Sequence, residues 1–195
     1  MREYSSTTTK TIIIFSLIIL VIIPNLTSCA LLSGSRYIDM STEELSALSD
    51  DELYEAVIAR LDHKINEYDD MQEGINSLSY KQKVVYSVSY LEMEVNNGGL
   101  CQFFVNSSRY VASYVSEYMD VIGAIDHKNL YDGFVKKYNI NLNSIASVTY
   151  LERPTNYYNK LYWKYPFSEY DEAFVKITPL QDYLVKYIRA NISEF

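Results

Sequence analysis

Apolar residues spaced three or four positions apart run through much of the chain, and this spacing constrains the fold more than any other feature. An α-helix turns once in about 3.6 residues, so such spacing lines one helix face with apolar side chains. Besides the helices with the clearest apolar series, helices are predicted over residues 110–126 and 130–138. Strand-like alternation is confined to a few residues, and residues 144–151, the best strand candidate, could equally end a helix. The sequence predicts an all-α, compact multi-helix domain of about six to eight helices. The clearest apolar series are Leu53, Val57, Leu61 and Ile65; Val84, Val88, Leu91 and Val95; and Leu180, Leu184, Ile188 and Ile192.

Three serines mark predicted helix starts. Ser41, Ser49 and Ser79 are each followed three residues later by Glu or Gln. This is the capping-box pattern, in which the two side chains bind each other's free backbone N–H groups. Pro179 favours the start of a last helix, because proline is well accommodated in a first helical turn.

The N-terminal segment has the layout of a secretory signal. Arg2 and Lys10 precede an apolar run over residues 12–23, which only Ser16 interrupts. A membrane-spanning helix needs about 20 apolar residues, so this run is short for a span. We therefore expect a signal peptide, with an uncleaved membrane-spanning anchor as the alternative.

A lipidation motif follows this run. Residues 26–29 read LTSC, an aliphatic residue, two small residues and a cysteine. They resemble the lipobox of bacterial lipoproteins, in which the chain is cut before a cysteine that receives acyl chains such as palmitate. The resemblance implies a lipoprotein signal peptide over residues 1–28 and a lipidated Cys29 with a tether over residues 29–48. It also implies a location at the cell envelope, lipid-anchored to a bacterial membrane and facing away from the cytoplasm.

A pair of glycines, Gly98 and Gly99, stands where the second apolar series stops. Asn and Gly tolerate the left-handed backbone with which helices commonly end. Gln102 and Asn106 then lie four residues apart, on one face of a restarted helix. We predict a helix–NGG–helix corner. Its amides and the carboxylate of Glu94 either satisfy backbone groups of the corner or hold a small ligand such as a sugar or an amino acid.

The same stretch resembles the signature of a known family. Residues 92–108, EMEVNNGGLCQFFVNSS, are similar to the pattern Glu, Asn-Gly-Gly, Gln-Phe-Phe, Asn of the DMP19-like family (domain of unknown function 4375). The resemblance covers residues 49–195 and implies an all-helical domain without established catalytic activity. One family member is a dimeric DNA mimic whose carboxylates occupy the DNA-binding face of a transcription factor. The matching positions are Glu94, Asn97, Gly98, Gly99, Gln102, Phe103, Phe104 and Asn106.

Charge and residue content restrict the expected ligands. The formal net charge is −8 and the basic residues form no cluster, so no direct nucleic-acid partner is expected. No cysteine–histidine cluster has zinc-site spacing, so we expect no metal and no cofactor. Cys101 has no histidine in a context that suggests a catalytic pair, and His63 and His127 are expected to be surface or core residues. We therefore expect no enzyme activity.

Tyrosine is unusually frequent, with 20 in the chain, and residues 155–172 combine several of them with the only tryptophan. Tyr and Trp are enriched at protein interfaces. Tyr157, Tyr158 and Trp163 are therefore a candidate aromatic interface, unless these rings fill the domain's own core. We expect a membrane-anchored lipoprotein with a non-catalytic, helical protein-binding domain. The alternatives are a DNA-mimic inhibitor, which an exported domain disfavours, a ligand-binding or enzymatic site at the NGG corner, and protection against a toxin or phage factor.

Overall fold

The structure, a computed structural model, describes residues 36–148 and 156–195. These residues hold ten α-helices and two 3-10 helices, and the described part of the chain contains no strand. The all-α class is confirmed. The helices outnumber the prediction because several are only one or two turns long and leave no repeated apolar series. They are α1 (Thr42–Ser46), α2 (Asp50–Ile65), α3 (Met71–Ser77), α4 (Tyr80–Val105), a 3-10 helix (Ser107–Val111), α5 (Val115–Val121), α6 (Ile125–Lys137), α7 (Leu142–Ala146), α8 (Tyr157–Tyr162), α9 (Phe167–Phe174), α10 (Leu180–Ala190) and a C-terminal 3-10 helix (Ile192–Glu194).

The three serine caps are confirmed. Ser41, Ser49 and Ser79 precede α1, α2 and α4, and each closes a capping box with the residue three positions on. In each box the serine oxygen accepts a backbone N–H of the first turn, and the partner side chain accepts the serine N–H. The sequence therefore predicts where these helices begin.

Helix α4 lies at the centre of the domain. It packs against α2, α5, α8, α9 and α10 and against the first 3-10 helix. Val84, Val88 and Leu91 of its apolar series are fully buried. The apolar series of α2 is buried as well, and so are the members of the third series that lie within α10. The predicted helical faces thus form one continuous hydrophobic core.

The C-terminal part of the predicted tether belongs to the folded domain. Tyr37 and Leu45 are buried in the core, and α1 packs against the C-terminal 3-10 helix. Arg189 of α10 donates hydrogen bonds to the carbonyl oxygen of Leu48 at 2.9 Å and to the carboxylate of Asp50 at 2.7 Å. The folded domain therefore begins no later than Tyr37, ahead of the predicted boundary.

The prediction of a single helix over residues 110–126 is wrong. The first 3-10 helix, a turn and α5 occupy this stretch, and α5 is followed by Gly123 with φ 79°. The Ala124 N–H donates to the Met119 carbonyl at 2.8 Å, the bond that closes a left-handed helix end. The apolar spacing continues across this break, which is why periodicity alone does not reveal it.

Two predictions concern the region after α5. The helix predicted over residues 130–138 corresponds to the C-terminal part of α6. Residues 144–148 of the strand candidate lie in α7 and in the turn after it, so the helix-end interpretation holds for them. The remainder of that candidate lies outside the described residues.

Candidate functional site

Helix α4 is kinked at the glycine pair. Gly98 (φ −155°, ψ 21°) and Gly99 (φ 79°, ψ 174°) depart from helical geometry, so two helical arms, residues 80–97 and 100–105, meet there. Gly99 has the positive φ that favours glycine. A Cβ atom on Gly98 would collide with the side chain of Gln102, and one on Gly99 would collide with the carboxylate of Asp171. The positive φ and the contact with Asp171 together account for glycine at position 99.

The carboxylate of Glu94 joins the two arms. Gln102 Nε2 donates to it at 2.7 Å, and Asn106 Nδ2 donates to its two oxygens at 3.0 and 2.8 Å. The Ser108 hydroxyl shares its one hydrogen between this carboxylate at 3.3 Å and the carbonyl oxygen of Phe103 at 3.1 Å. We call Glu94, Gln102, Asn106 and Ser108 the Glu94 cluster. Since Glu94 lies on the first arm, and its partners lie on the second arm and just beyond it, the cluster fastens both arms and the first 3-10 helix together.

The other motif residues have separate positions. Phe103 and Phe104 are fully buried, and Phe104 meets the rings of Tyr131 and Phe167 edge-on at centroid distances of 6.3 and 6.0 Å. Asn97 is exposed to solvent. The structure thus brings together the polar motif residues except Asn97, and it adds Ser108, which the sequence analysis does not identify.

The geometry of the Glu94 cluster suits it to holding the chain. Its three donors point at one carboxylate, so the acceptor sites of that carboxylate are engaged within the cluster. Across residues 36–148 and 156–195, no second carboxylate and no histidine is hydrogen-bonded to these side chains. A pair of groups for proton transfer would need such a neighbour. The arrangement favours the structural interpretation of the corner over a ligand-binding one.

The second arm of α4 begins with a cap from another helix. Asp171 of α9 accepts the backbone N–H of Leu100 at 2.8 Å. The first N–H groups of a helix have no partner within it, so an outside carboxylate can satisfy them. Burial raises the pKa of Asp171, and the bond from Leu100 partly opposes this rise.

Helix α10 begins in the same way. Glu92, which is buried in α4, accepts the backbone N–H groups of Leu180 and Gln181 at 2.6 and 2.9 Å. Pro179 at the start of α10 supplies no capping side chain. Burial raises the pKa of Glu92, and its two backbone hydrogen bonds partly oppose this. We call Glu92 and Asp171 the trans caps. No local sequence signal identifies Glu92, because the groups that it caps are at least 88 residues away in the chain.

A buried arginine, which the sequence analysis also missed, connects the Glu94 cluster to the next part of the domain. Arg109 is 1% exposed. Its guanidinium donates to the carbonyl oxygens of Val148 at 2.8 Å and Asn106 at 2.9 Å, and to the hydroxyl of Tyr110 at 2.8 Å. Because Asn106 also contacts Glu94, the corner positions the chain at the end of α7.

The candidate aromatic interface lies on α8 and just after it. Tyr157 is half-buried, whereas Tyr158 is 39%, Tyr162 42% and Trp163 82% exposed. The rings of Tyr158 and Tyr162 stack at 5.9 Å, and the ring of Trp163 meets that of Tyr162 edge-on at 5.5 Å. We call Tyr158, Tyr162 and Trp163 the aromatic patch. Leu161 points the other way and is buried.

The cysteine and the two histidines occupy ordinary structural positions. Cys101 is buried, and burial raises the pKa of its thiol to about 12, so it packs as a small apolar group as predicted. His63 is exposed, and His127 is buried with Nε2 at 2.8 Å from the carbonyl oxygen of Thr178. His63 is therefore a surface residue and His127 a core residue.

The described residues contain neither a cluster suited to a metal ion nor a membrane-spanning helix. Within them, no three His, Cys, Asp or Glu side chains are grouped so as to hold a metal ion. No helix of the described residues has the length and apolar content to span a membrane. Cys29 and the predicted signal peptide lie outside the described residues.

Comparison with protein families matches residues 76–191 to the family model described as DMP19-like protein. This segment contains α4 with its kink, the Glu94 cluster, both trans caps and the aromatic patch. Comparisons with curated proteins and with solved structures give no match. The family match covers more than half of the chain. The chain therefore belongs to the DMP19-like family.

Proposed function

We propose that this protein is a membrane-anchored lipoprotein whose helical domain binds another protein without catalysing a reaction. The observation that carries the proposal is the aromatic patch, in which Trp163 is 82% exposed beside two partly exposed tyrosines. Tryptophan and tyrosine supply large contact areas and dominate the binding energy of many protein interfaces. A tryptophan this exposed contributes little to the core of its own domain.

The aromatic patch lies on a helix that is packed against the rest of the domain. Helix α8 packs against α4, and Leu161 anchors it in the core. The carbonyl oxygen of Tyr158 lies 3.9 Å from the thiol of Cys101 on the second arm of α4. Because the tyrosine rings already stack on each other, little side-chain freedom is lost when a partner covers them. Such preorganisation lowers the entropic cost of binding.

The charge near the patch indicates the chemistry of the partner. Lys160 and Lys164 are exposed on and beside α8, and residues 156–164 contain no acidic side chain. The whole chain, in contrast, has a formal net charge of −8. A basic, aromatic surface on an acidic protein complements an apolar pocket rimmed by carboxylates. We therefore propose a protein partner with such a pocket.

The LTSC motif supports the anchor. If Cys29 carries the lipid, the residues up to Arg36 span at most roughly 25 Å, since an extended chain covers about 3.5 Å per residue. Two or three acyl chains are needed for lasting attachment, because one chain binds a membrane only marginally. The anchor would keep the domain close to the membrane and to partners at the cell envelope.

The first experiment tests the anchor. Cells that express the wild type or Cys29→Ser are grown with a labelled fatty acid and fractionated. We expect label and membrane association for the wild type and neither for the variant. An unlabelled, cytosolic wild type would overturn the anchor, and the family's DNA mimicry would then become the leading function.

The second experiment tests the aromatic patch. A photo-crosslinking amino acid is placed at position 163, with position 175 as the matched control because Val175 is also apolar and 67% exposed. The protein that crosslinks only from position 163 is purified, and its affinity for the wild type, Trp163→Ala and Tyr68→Ala is measured. Tyr68 is 42% exposed and lies far from α8 in the sequence, so it controls for loss of an exposed ring.

A hot-spot residue contributes about 2 kcal/mol or more, so Trp163→Ala should weaken binding by more than tenfold. Tyr68→Ala should leave the affinity unchanged. Equal affinities for the wild type and Trp163→Ala would exclude the patch as the binding surface, whatever the result of the fractionation.

A further inference from the structure

A second feature, separate from the aromatic patch, is a cleft with a volume of about 820 Å³. Helices α3, α4, α5 and α7 and the first 3-10 helix form its walls. Ligand sites in proteins commonly have volumes between about 300 and 1,000 Å³, so the cleft is large enough for a small molecule. Its use as a binding site goes beyond the protein-binding role proposed above.

Among the residues that the structure describes, the cleft contains one unpaired cation. Lys83 of α4 is the single lysine or arginine among the described residues that line it, and it is half-buried. No described residue forms a hydrogen bond or an ion pair with its ammonium group. Other lysines of this domain do have partners, such as Lys81 with Glu194 at 3.2 Å and Lys128 with Asp132 at 2.8 Å.

Asp70, the one acidic residue among the described residues of the lining, does not neutralise this lysine. Asp70 caps α3, and its carboxylate accepts the N–H of Glu73 at 2.9 Å. No ion pair between Asp70 and Lys83 is present. A positive charge in a concave, partly enclosed site attracts an anion more strongly than one on an open surface, because less water screens it.

A second, independent observation comes from one turn further along α4. Ser87 lines the cleft and is fully buried, and its hydroxyl has no hydrogen-bond partner within the part of the chain that the structure describes. A buried hydroxyl without a partner costs folding free energy and calls for an explanation. Ser87 and Lys83 are four residues apart and share one helix face, so both border the same side of the cleft.

The remaining lining combines amides with aromatic rings. The amide side chains of Asn76 and Asn143 border the cleft and make no hydrogen bond to the described residues. Tyr114 and Tyr118 form an adjacent wall, with their rings stacked at 6.2 Å. Amides bind hydroxyl groups, and aromatic faces cover the apolar faces of small ring molecules. Arg109 holds Tyr110 of the same cleft, as described above.

From this geometry we infer that the cleft binds a small, hydroxylated organic anion, with its carboxylate or phosphate group at Lys83 and its hydroxyl groups at the amides. The chemistry shared by a sugar acid and a sugar phosphate fits this lining. A neutral sugar lacks the group that Lys83 would contact.

The test is isothermal titration calorimetry of the full chain in detergent with glucuronate, glucose 6-phosphate and neutral glucose. We expect at least one anion to bind more tightly than glucose. Lys83→Met should weaken that binding about tenfold or more, as expected when a charged hydrogen bond is removed. The matched control is Lys136→Met, which removes an exposed lysine of α6 outside the cleft and should change nothing.

A further variant, Ser147→Phe, narrows the cleft at an exposed edge residue and should weaken binding without loss of the fold. Binding of glucuronate alone assigns the site to carboxylates, and binding of glucose 6-phosphate alone assigns it to phosphates. If neither anion binds at millimolar concentration, or if Lys83→Met binds as tightly as the wild type, the inference is overturned.

Discussion

Two kinds of side-chain cap at helix starts of this domain can be compared. Towards the N-terminus, α1, α2 and α4 each begin at a serine that closes a capping box within its own helix. The second arm of α4 and the whole of α10 have no such serine, and the trans caps Asp171 and Glu92 reach them from other helices. A local cap stabilises one helix, whereas a trans cap also fixes the position of one helix relative to another.

The two kinds of cap differ in energy because they differ in burial. Local caps at solvent-exposed helix ends contribute about 1 kcal/mol each. The trans caps serve backbone groups inside the domain, and Leu180 and Leu100 are both fully buried. If a buried N–H group loses its acceptor, water does not replace it, and the cost rises to about 1–3 kcal/mol per group.

The largest effect is expected for Glu92→Ala. This change removes the acceptor of two backbone N–H groups at once and should lower the free energy of unfolding by about 3 kcal/mol. Urea unfolding measures it. Glu55→Ala, at an exposed position of α2, is the control and should stay within about 0.5 kcal/mol of the wild type. A loss no larger than that of a local cap would remove the distinction between the two kinds of cap.

The next effect concerns the kink. Gly99 and Gly123 both have φ 79°, but a Cβ atom would meet Asp171 at Gly99 and nothing within 4 Å at Gly123. Gly99→Ala should therefore cost about 2–3 kcal/mol, and Gly123→Ala should cost about 1 kcal/mol for the backbone conformation alone. Thermal or urea unfolding of both variants measures the difference. Equal losses would show that Asp171 moves aside freely and does not fix the second arm.

A smaller effect is expected for the local cap Ser79→Ala, about 1 kcal/mol. Ser193→Ala, at an exposed serine of the C-terminal 3-10 helix, is the control. Ser79 and Glu92 are separated by roughly 20 Å along α4, at about 1.5 Å per residue. The losses of Ser79→Ala and Glu92→Ala should therefore add within about 0.5 kcal/mol in the double variant. A larger deviation would mean that α4 couples its local cap to its trans cap.

The smallest effect is the pH dependence of the trans caps. The pKa of Glu92 is raised in the folded protein from its ordinary value of 4.5, so the folded state binds more protons than the unfolded state just above that pH. Its contribution to stability is complete below pH 4.5 and is lost as the pH rises through the folded pKa. The stability advantage of the wild type over Glu92→Gln should shrink over this range. An advantage that grows instead would show that the two backbone hydrogen bonds outweigh burial.

This contrast also explains how much of the protein could be predicted from its sequence. The capping boxes and the apolar series of α2, α4 and α10 depend on residues within a few positions of each other, and they were predicted correctly. The interruption of α4 at the glycine pair also followed from the local conformational preferences of Asn and Gly. The partners of Glu92 and Asp171 are 88 and 71 residues away in the chain, so no local pattern reveals them.

In the candidate site, too, local features were predicted from the sequence and contacts between distant residues were not. The motif placed Gln102 and Asn106 on one helix face, and the structure joins them through Glu94. Arg109 was missed, because its acceptors include the carbonyl oxygen of Val148, which becomes a neighbour only after the domain has folded. The sequence also did not predict that Trp163 is exposed, because a sequence alone does not decide whether an aromatic ring faces the core or the solvent.

The bonds from Arg189 to Leu48 and Asp50 have a mechanical consequence. A pulling force that enters the domain at its N-terminal end first loads α1. This helix packs against the C-terminal 3-10 helix, and Arg189 of α10 donates to the carbonyl oxygen of its residue Ser46 at 3.4 Å. The load is therefore shared between the first and the last helices of the domain. A domain tethered at its N-terminus and pulled by a bound partner would resist through these contacts, so Arg189→Ala should lower the rupture force measured by single-molecule pulling.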